Sequence, residues 1–252
     1  MPEPYYTDEQ VQLFLGDFRE LLPSLGAIAD VIVADPPYGE TSLAWDKWPA
    51  NWPNAVSPHG KSMWCFGSMR MFLQRASEFD DWRLSQDLVW EKHNGSGFHA
   101  DRFKRVHEHA LHWYRSDVRW SDIYHRVPTT PDATARAVRR KTRPTHTGNI
   151  DGSAYQSFDG GPRLMRSVIF ARSMHGRAIN ETEKPVGLLQ PLIEYACPPN
   201  GLVLDPFAGS ASTLVAARNI GRRAIGVELR EAQCEAAARR LGQQCLDFEA
   251  GA

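Results

Sequence analysis

At 252 residues the chain is long enough for one large α/β domain with a well-buried core. Its hydrophobic content of 42% is that of a globular protein, and no run approaches the ~18 apolar residues of a membrane span. The net charge of −1 conceals an asymmetry: residues 102–146 hold eleven Lys or Arg against four Asp or Glu, leaving the rest of the chain acidic.

In chain order, the amino-terminal decad Met-Pro-Glu-Pro-Tyr-Tyr-Thr-Asp-Glu-Gln is neither basic nor apolar, so no secretory leader is expected. The first predicted helix spans Phe18 to Leu25, and Asp17 is a favoured N-cap for it. Next comes Val31-Ile32-Val33-Ala34, a β-branched apolar run suited to a strand buried on both faces, which stops at Asp35-Pro36-Pro37-Tyr38. The prolines forbid strand or helix to continue, so Asp35 is expected in a stiff loop past the carboxyl end of the strand. Open α/β sheets bind ligands there. A carboxylate beside a fixed carbonyl can grip an amino group, and Tyr38 offers a flat face for a planar ring.

The cluster His107-Glu108-His109-Ala110-Leu111-His112 fails the His-Glu-x-x-His spacing, because position 111 is Leu, and no metal is expected. Four cysteines, Cys65, Cys197, Cys234 and Cys245, are scattered without a Cys-x-x-Cys pair and read as reduced thiols of a cytoplasmic protein. The positive charge peaks at Arg136, Arg139, Arg140, Lys141 and Arg143, in a stretch punctuated by Pro128, Pro131 and Pro144. That composition suits a loop-rich insert making phosphate contacts; the alternative is a solvated basic loop.

Near the carboxyl end, Leu202-Val203-Leu204-Asp205-Pro206-Phe207-Ala208-Gly209-Ser210 followed by Thr213-Leu214-Val215-Ala216-Ala217 reads as strand, small-residue turn and helix. Such a turn lets a ligand approach the backbone above a helix N-terminus. A second strand, Ala224-Ile225-Gly226-Val227, ends at Glu228, about 20 residues beyond the turn, where an acid can hold ribose hydroxyls. Geometry alone fits a nicotinamide cofactor or S-adenosylmethionine (SAM), but a Gly-x-Gly-x-x-Gly is missing.

The two motifs together resemble those of the SAM-dependent, amino-methylating DNA methyltransferases. Asp35-Pro36-Pro37-Tyr38 matches their Asp/Asn/Ser-Pro-Pro-aromatic motif, and Asp205-Pro206-Phe207-Ala208-Gly209-Ser210-Ala211-Ser212 matches their Asp-Pro-Phe-x-Gly-Ser-Gly-Thr. Ala211 replaces a usual glycine. Asn180-Glu181-Thr182-Glu183-Lys184-Pro185 is similar to His-Pro-Thr-Gln-Lys-Pro, with only Thr, Lys and Pro retained. Trp45-Asp46, Trp90-Glu91-Lys92, Gly97-Phe98 and His107-Glu108 resemble phage-type members. The resemblance runs from about residue 11 to 242, with a gap near 115 to 165.

The resemblance implies a circularly permuted, Rossmann-like α/β fold, because the catalytic motif precedes the SAM motif, as in the beta class. Val11-Gln12-Leu13-Phe14-Leu15 would then be the third strand of the SAM half, adjoining Asp17 as an acceptor for the adenine amine of SAM, a role that competes with helix capping. Catalysis would lie with Asp35, Pro36, Pro37 and Tyr38, and SAM would be held by Asp17, Lys184, Asp205, Phe207, Gly209, Ser210 and Glu228, with no metal. Strands 31–34 and 202–204 would be neighbours. Residues 115–165 would recognise the target, with Arg136, Arg139, Arg140, Lys141 and Arg143 on double-stranded DNA. The implied activity is N6-methylation of a flipped adenine; cytosine N4 is the alternative, followed by RNA. A homodimer, a cognate restriction enzyme and a cytoplasmic, nucleoid-associated location complete the expectation.

Overall fold

The computed structural model describes residues 2–96, 101–139, 154–173 and 183–249. They form two compact units: 1–126 together with 167–252, and 127–166. The larger unit begins with β1 (Tyr6–Thr7), β2 (Val11–Leu15), α1 (Phe18–Leu25), β3 (Val31–Ala34), α2 (Trp52–Val56), β4 (Ser62–Gly67) and α3 (Met69–Gln74). A long pair follows, β5 (Trp82–Ser96) and β6 (Arg105–Arg115). The smaller unit holds β7 (Thr129–Thr130), β8 (Arg136–Arg139), β9 (Ala154–Ser157) and β10 (Arg163–Leu164). The chain then returns with β11 (Val168–Phe170), α4 (Val186–Ala196), β12 (Leu202–Asp205), α5 (Ser212–Asn219), β13 (Arg223–Glu228) and α6 (Glu231–Glu249).

Nine strands make one sheet in the order β1-β2-β13-β12-β3-β4-β6-β5-β11. From β2 to β4 all neighbours are parallel, which requires both faces to be covered and explains the unbroken apolar runs. All four residues of β3 and all six of β4 are buried. The expected adjacency of strands 31–34 and 202–204 is present, with Val203 opposite Val31. Beside them, β13 pairs with β2 along Ala224↔Val11 to Glu228↔Leu15. Two segments from distant parts of the sequence therefore complete the half of the sheet around β12, the permuted arrangement. Beyond β4, β6 turns antiparallel to both β4 and β5.

Phe14, Ile32, Trp52, Met63 and Leu204 belong to one buried cluster, against which Phe207 and Tyr38 pack from the loops. The side chains that aim the site are thus anchored in the core. Burying a residue such as Phe14 or Ile32 contributes roughly 1.5–3 kcal/mol each.

In the smaller unit β8 pairs antiparallel with β9, and β7 with β10. It starts later than the expected insert, because residues 115–126 belong to the larger unit: the Arg126 amide donates to the Tyr195 carbonyl at 2.8 Å. No described helix is long and apolar enough to cross a membrane.

Candidate active site

Because β3 and β12 are parallel neighbours, the loops after both open on one edge of the sheet, and there they border a cavity of about 400 Å³, within the usual size of small-ligand sites. Asp205, Phe207, Gly209 and Ser210 line it from the turn after β12, and Glu228 from the end of β13. Asp17 lies at its margin after β2, Lys184 before α4, and Asp35 and Pro37 after β3. The residues expected to hold the cofactor are therefore brought together. Pro36 and Tyr38, between and beside Asp35 and Pro37, are not among the residues lining the cavity.

The turn after β12 is set by its own hydrogen bonds. The Phe207 amide donates to Asp205 Oδ1 at 2.9 Å, and the Gly209 amide to Glu228 Oε2 at 2.9 Å. Gly209 has a φ of +50°, which suits glycine. Ala211, in place of the usual glycine, has a φ of +62° as the N-cap of α5, a strain of about 1 kcal/mol for a residue with a Cβ. Gly226 permits the close approach of turn to strand: a Cβ there would lie 2.8 Å from the Leu214 side chain and 3.0 Å from Ala208 Cβ. Phe207 is fixed edge-on against Phe18 and Trp52, with ring centroids 5.3 and 5.2 Å away.

Asp17 does cap α1, accepting from the Arg19 amide at 2.9 Å, and it also borders the cavity. The capping and ligand readings are thus compatible, since a carboxylate has acceptor capacity to spare. Glu228 keeps acceptor sites beyond those used by the Gly209 and Arg230 amides. Burial pushes the Asp205 carboxyl up to about 7, against hydrogen bonds from Thr213 and Phe207.

Asp35 sits in a network of charged groups. Lys184 Nζ donates to Asp35 Oδ2 at 2.6 Å and lies 3.1 Å from Glu108 Oε1. The Tyr38 hydroxyl is 2.7 Å from both Asp35 Oδ1 and Glu108 Oε1; having one proton, it donates to one carboxylate at a time. Lys92 Nζ donates to the outer oxygen of Glu108 at 2.7 Å. Two carboxylates and two ammoniums balance. Burial raises the Asp35 carboxyl, with Lys184 opposing and Glu108 reinforcing. Burial would raise Glu108 too, but Lys184 and Lys92 hold it down at about 2. Lys184 was expected to hold SAM; its ammonium pairs with both of these carboxylates and also lines the cavity.

Several contributors were not among the expected site residues. Glu183 is bound by Arg240 at 2.9 Å, and Arg240 also donates to the Ser210 carbonyl at 3.0 Å, bracing the turn from α6. Asp46 gathers the amides of Gly39, Glu40 and Thr41 at 2.7–3.0 Å. It thereby folds the loop after Tyr38 so that Ala44 and Trp45 line the cavity, with the Arg230 guanidinium 4.8 Å over the Trp45 ring. The signal available for Glu108 was the likeness of His107-Glu108 to phage-type members, and the structure buries the acid on β6.

The donor set fits SAM. Glu228, Asp17 and Asp205 supply acceptors for hydroxyl and amino groups, Phe207 an apolar face, and Gly209 room at the backbone. Among the described residues, no group of three or more His, Cys, Asp or Glu is placed to hold a metal ion. Of the basic residues, Arg136 is exposed on β8 and Arg139 ends that strand, whereas Arg140, Lys141 and Arg143 lie outside the described residues.

Comparison with known proteins gives a consistent picture. The chain is 52% identical to YubD of Escherichia coli (strain K12) over 114 residues, a match spanning 44% of this chain and half of that one. It is 25% identical to the type II methyltransferase M.ScaI of Streptomyces caespitosus, over 95% of this chain and 84% of that one. Among solved structures, the M1.HpyAVI–SAM complex is 20% identical with a TM-score of 0.63, covering 92% of this chain and 99% of that one. The cytosine-N4-specific PvuII DNA methyltransferase is 14% identical with a TM-score of 0.62, over 94% and 88%. These structural likenesses carry the fold. The family model described as DNA methylase, of the N6/N4 type, matches residues 29–239. With that match over most of its length and both motifs on one sheet edge, the chain belongs to the SAM-dependent N6/N4 DNA methyltransferases.

Proposed function

We propose that this enzyme methylates N6 of adenine in double-stranded DNA at a specific sequence. The observation that carries the reading is Asp35, a carboxylate standing in the wall of the same cavity as the Asp205–Ser210 turn. When bound, SAM supplies an electrophilic methyl group. The residues of the chain do the rest by placement. Asp35 and the Pro36 carbonyl accept hydrogen bonds from the target amine and turn its lone pair away from the ring. Asp35 is also the group nearest to receive the proton that the amine gives up after transfer. Tyr38, its hydroxyl anchored, presents its ring as a plate for a base flipped out of the duplex. Holding both reactants in line is the main source of rate in such a displacement.

Asp35 favours adenine through the family resemblance, in which adenine enzymes mostly carry Asp at this position and cytosine-N4 enzymes Ser; a carboxylate is also the stronger hydrogen-bond acceptor of the two. Methylated DNA digested to nucleosides and weighed by mass spectrometry is expected to contain N6-methyladenine. N4-methylcytosine in its place would overturn the choice of base and leave the chemistry of transfer standing.

DNA binding in this reading rests on the basic segment of the smaller unit. Replacing Arg139, Arg140 and Lys141 together by Ala is expected to leave SAM binding intact. The slope of log K for DNA against log salt should become shallower by about 2–3 through lost counterion release. An unchanged slope would remove these residues from the DNA contact. So short an insert also favours a homodimer, in which a second copy would add contact.

A further inference from the structure

Glu108 has no role in the steps above, and it does not line the cavity. Yet its side chain is only 7% exposed, and it binds partners from three separate segments. Lys92 comes from the adjacent strand β5 at 2.7 Å, Lys184 from the segment before α4 at 3.1 Å, and Tyr38 from the loop after β3 at 2.7 Å. Two of the three, Lys184 and Tyr38, also hold Asp35, at 2.6 and 2.7 Å. A buried acid costs several kcal/mol in desolvation unless paired, so its place between these groups is strongly specified.

We propose that Glu108 is a positioning residue for methyl transfer: by sharing the Lys184 ammonium and the Tyr38 hydroxyl with Asp35, it keeps the Asp35 carboxylate a strong acceptor for the target amine. The inference rests on Asp35 receiving that amine. Without Glu108, the whole charge of Lys184 would fall on Asp35, and the single Tyr38 proton would be donated to it permanently. Both changes spend acceptor strength that the amine needs. Lys92 acts in the opposite sense, since its charge on the outer oxygen of Glu108 offsets part of Glu108's influence on Asp35. The direction of the Asp35 shift agrees, Glu108 raising its proton affinity while Lys184 lowers it.

Other ionisable groups face the network: Cys65 on β4, Asp205 on β12 and His109 beside Glu108 on β6. Cys65 and Asp205 feel Asp35 rather than Glu108, so a rate limb caused by either would stay in place. A limb caused by His109, on which Glu108 does act, is identified by repeating the series in His109→Gln protein. The measurement is the single-turnover methylation rate against pH, with the full chain, saturating SAM and a DNA substrate. Glu108→Gln keeps the shape and removes the charge. Its plateau rate should fall by about tenfold, the scale of a misplaced catalytic group, and its acid limb should move to lower pH. Lys92→Met removes the offset, so its acid limb should move to higher pH. Opposite movements are not expected of two merely structural substitutions.

An acid limb of Glu108→Gln that stays at the wild-type position, or rises, overturns the proposal. If Glu108→Gln does not fold, Lys92→Met decides alone: a rise supports the proposal and an unmoved limb overturns it. An inactive Asp35→Ala protein with unmoved limbs in both variants would discard the role of Glu108 and keep that of Asp35. An active Asp35→Ala protein would discard both.

Discussion

Asp35→Ala protein is expected to bind SAM and DNA much as the wild type does, yet to transfer methyl groups about 10²–10³-fold more slowly, the usual cost of a lost charge-stabilising contact. The carboxylate stands at the end of a fully buried strand and is held by Lys184 and Tyr38, so its place does not depend on the substrate. The alanine variant loses the acceptor without disturbing β3. Calorimetry with SAM and a gel-shift titration with DNA separate binding from turnover. Full activity in this variant would refute the assigned chemistry.

A comparable effect, on stability rather than rate, is expected at Lys184. Its side chain is 7% exposed, and it pairs with two carboxylates at once. Burial alone would lower the pKa of its ammonium, but Asp35 and Glu108 outweigh burial and raise it. A raised pKa means that the contribution is fully present below the unfolded value, ~10.4, and is lost only at higher pH. Glu108, held down at about 2, contributes stability above its unfolded value, ~4.3, which is lost as pH falls toward 2. Lys184→Ala should therefore destabilise the fold by about 3–5 kcal/mol at pH 7, the cost of orphaning a buried charge. The deficit should narrow below about pH 5, where the abandoned carboxylates can protonate. Denaturant midpoints of both proteins at pH 7 and pH 4.5 measure this. An equal deficit at both values would assign the loss to packing.

How much of this was readable in advance depended on sequence distance. Val31–Ala34 with Asp35–Tyr38, and Leu202–Asp205 with its turn, announce themselves because strand, stop and turn are adjacent in the chain. Their pairing in the sheet was implied by the family resemblance. Glu108 lies 70 residues from Tyr38, and Lys184 is 149 residues from Asp35. No local pattern states that such groups will meet. Position 183 showed its acid, but not that Arg240, on the last helix, would bind it. Asp17 gave two readings because a capping carboxylate and a ligand-facing one have the same local sequence, and the structure lets one residue serve both. Ala211 was visible as a departure from the motif, whereas its left-handed backbone was not.

The pairing of β2 with β13 has a consequence for synthesis. Val11 finds its partner Ala224 only after 213 further residues have been made. At ~5–20 residues per second, the two segments leave the ribosome on the order of ten to forty seconds apart. During that interval an apolar strand ending near Asp17 has no neighbour on its β13 side, while β3, β4, β5 and β6 can already assemble. The Asp35–Tyr38 loop is thus placed earlier in synthesis than the cavity wall that β2 and β13 complete. A nascent chain of this enzyme cannot form the Glu228 side of the cavity until β13 has left the ribosome.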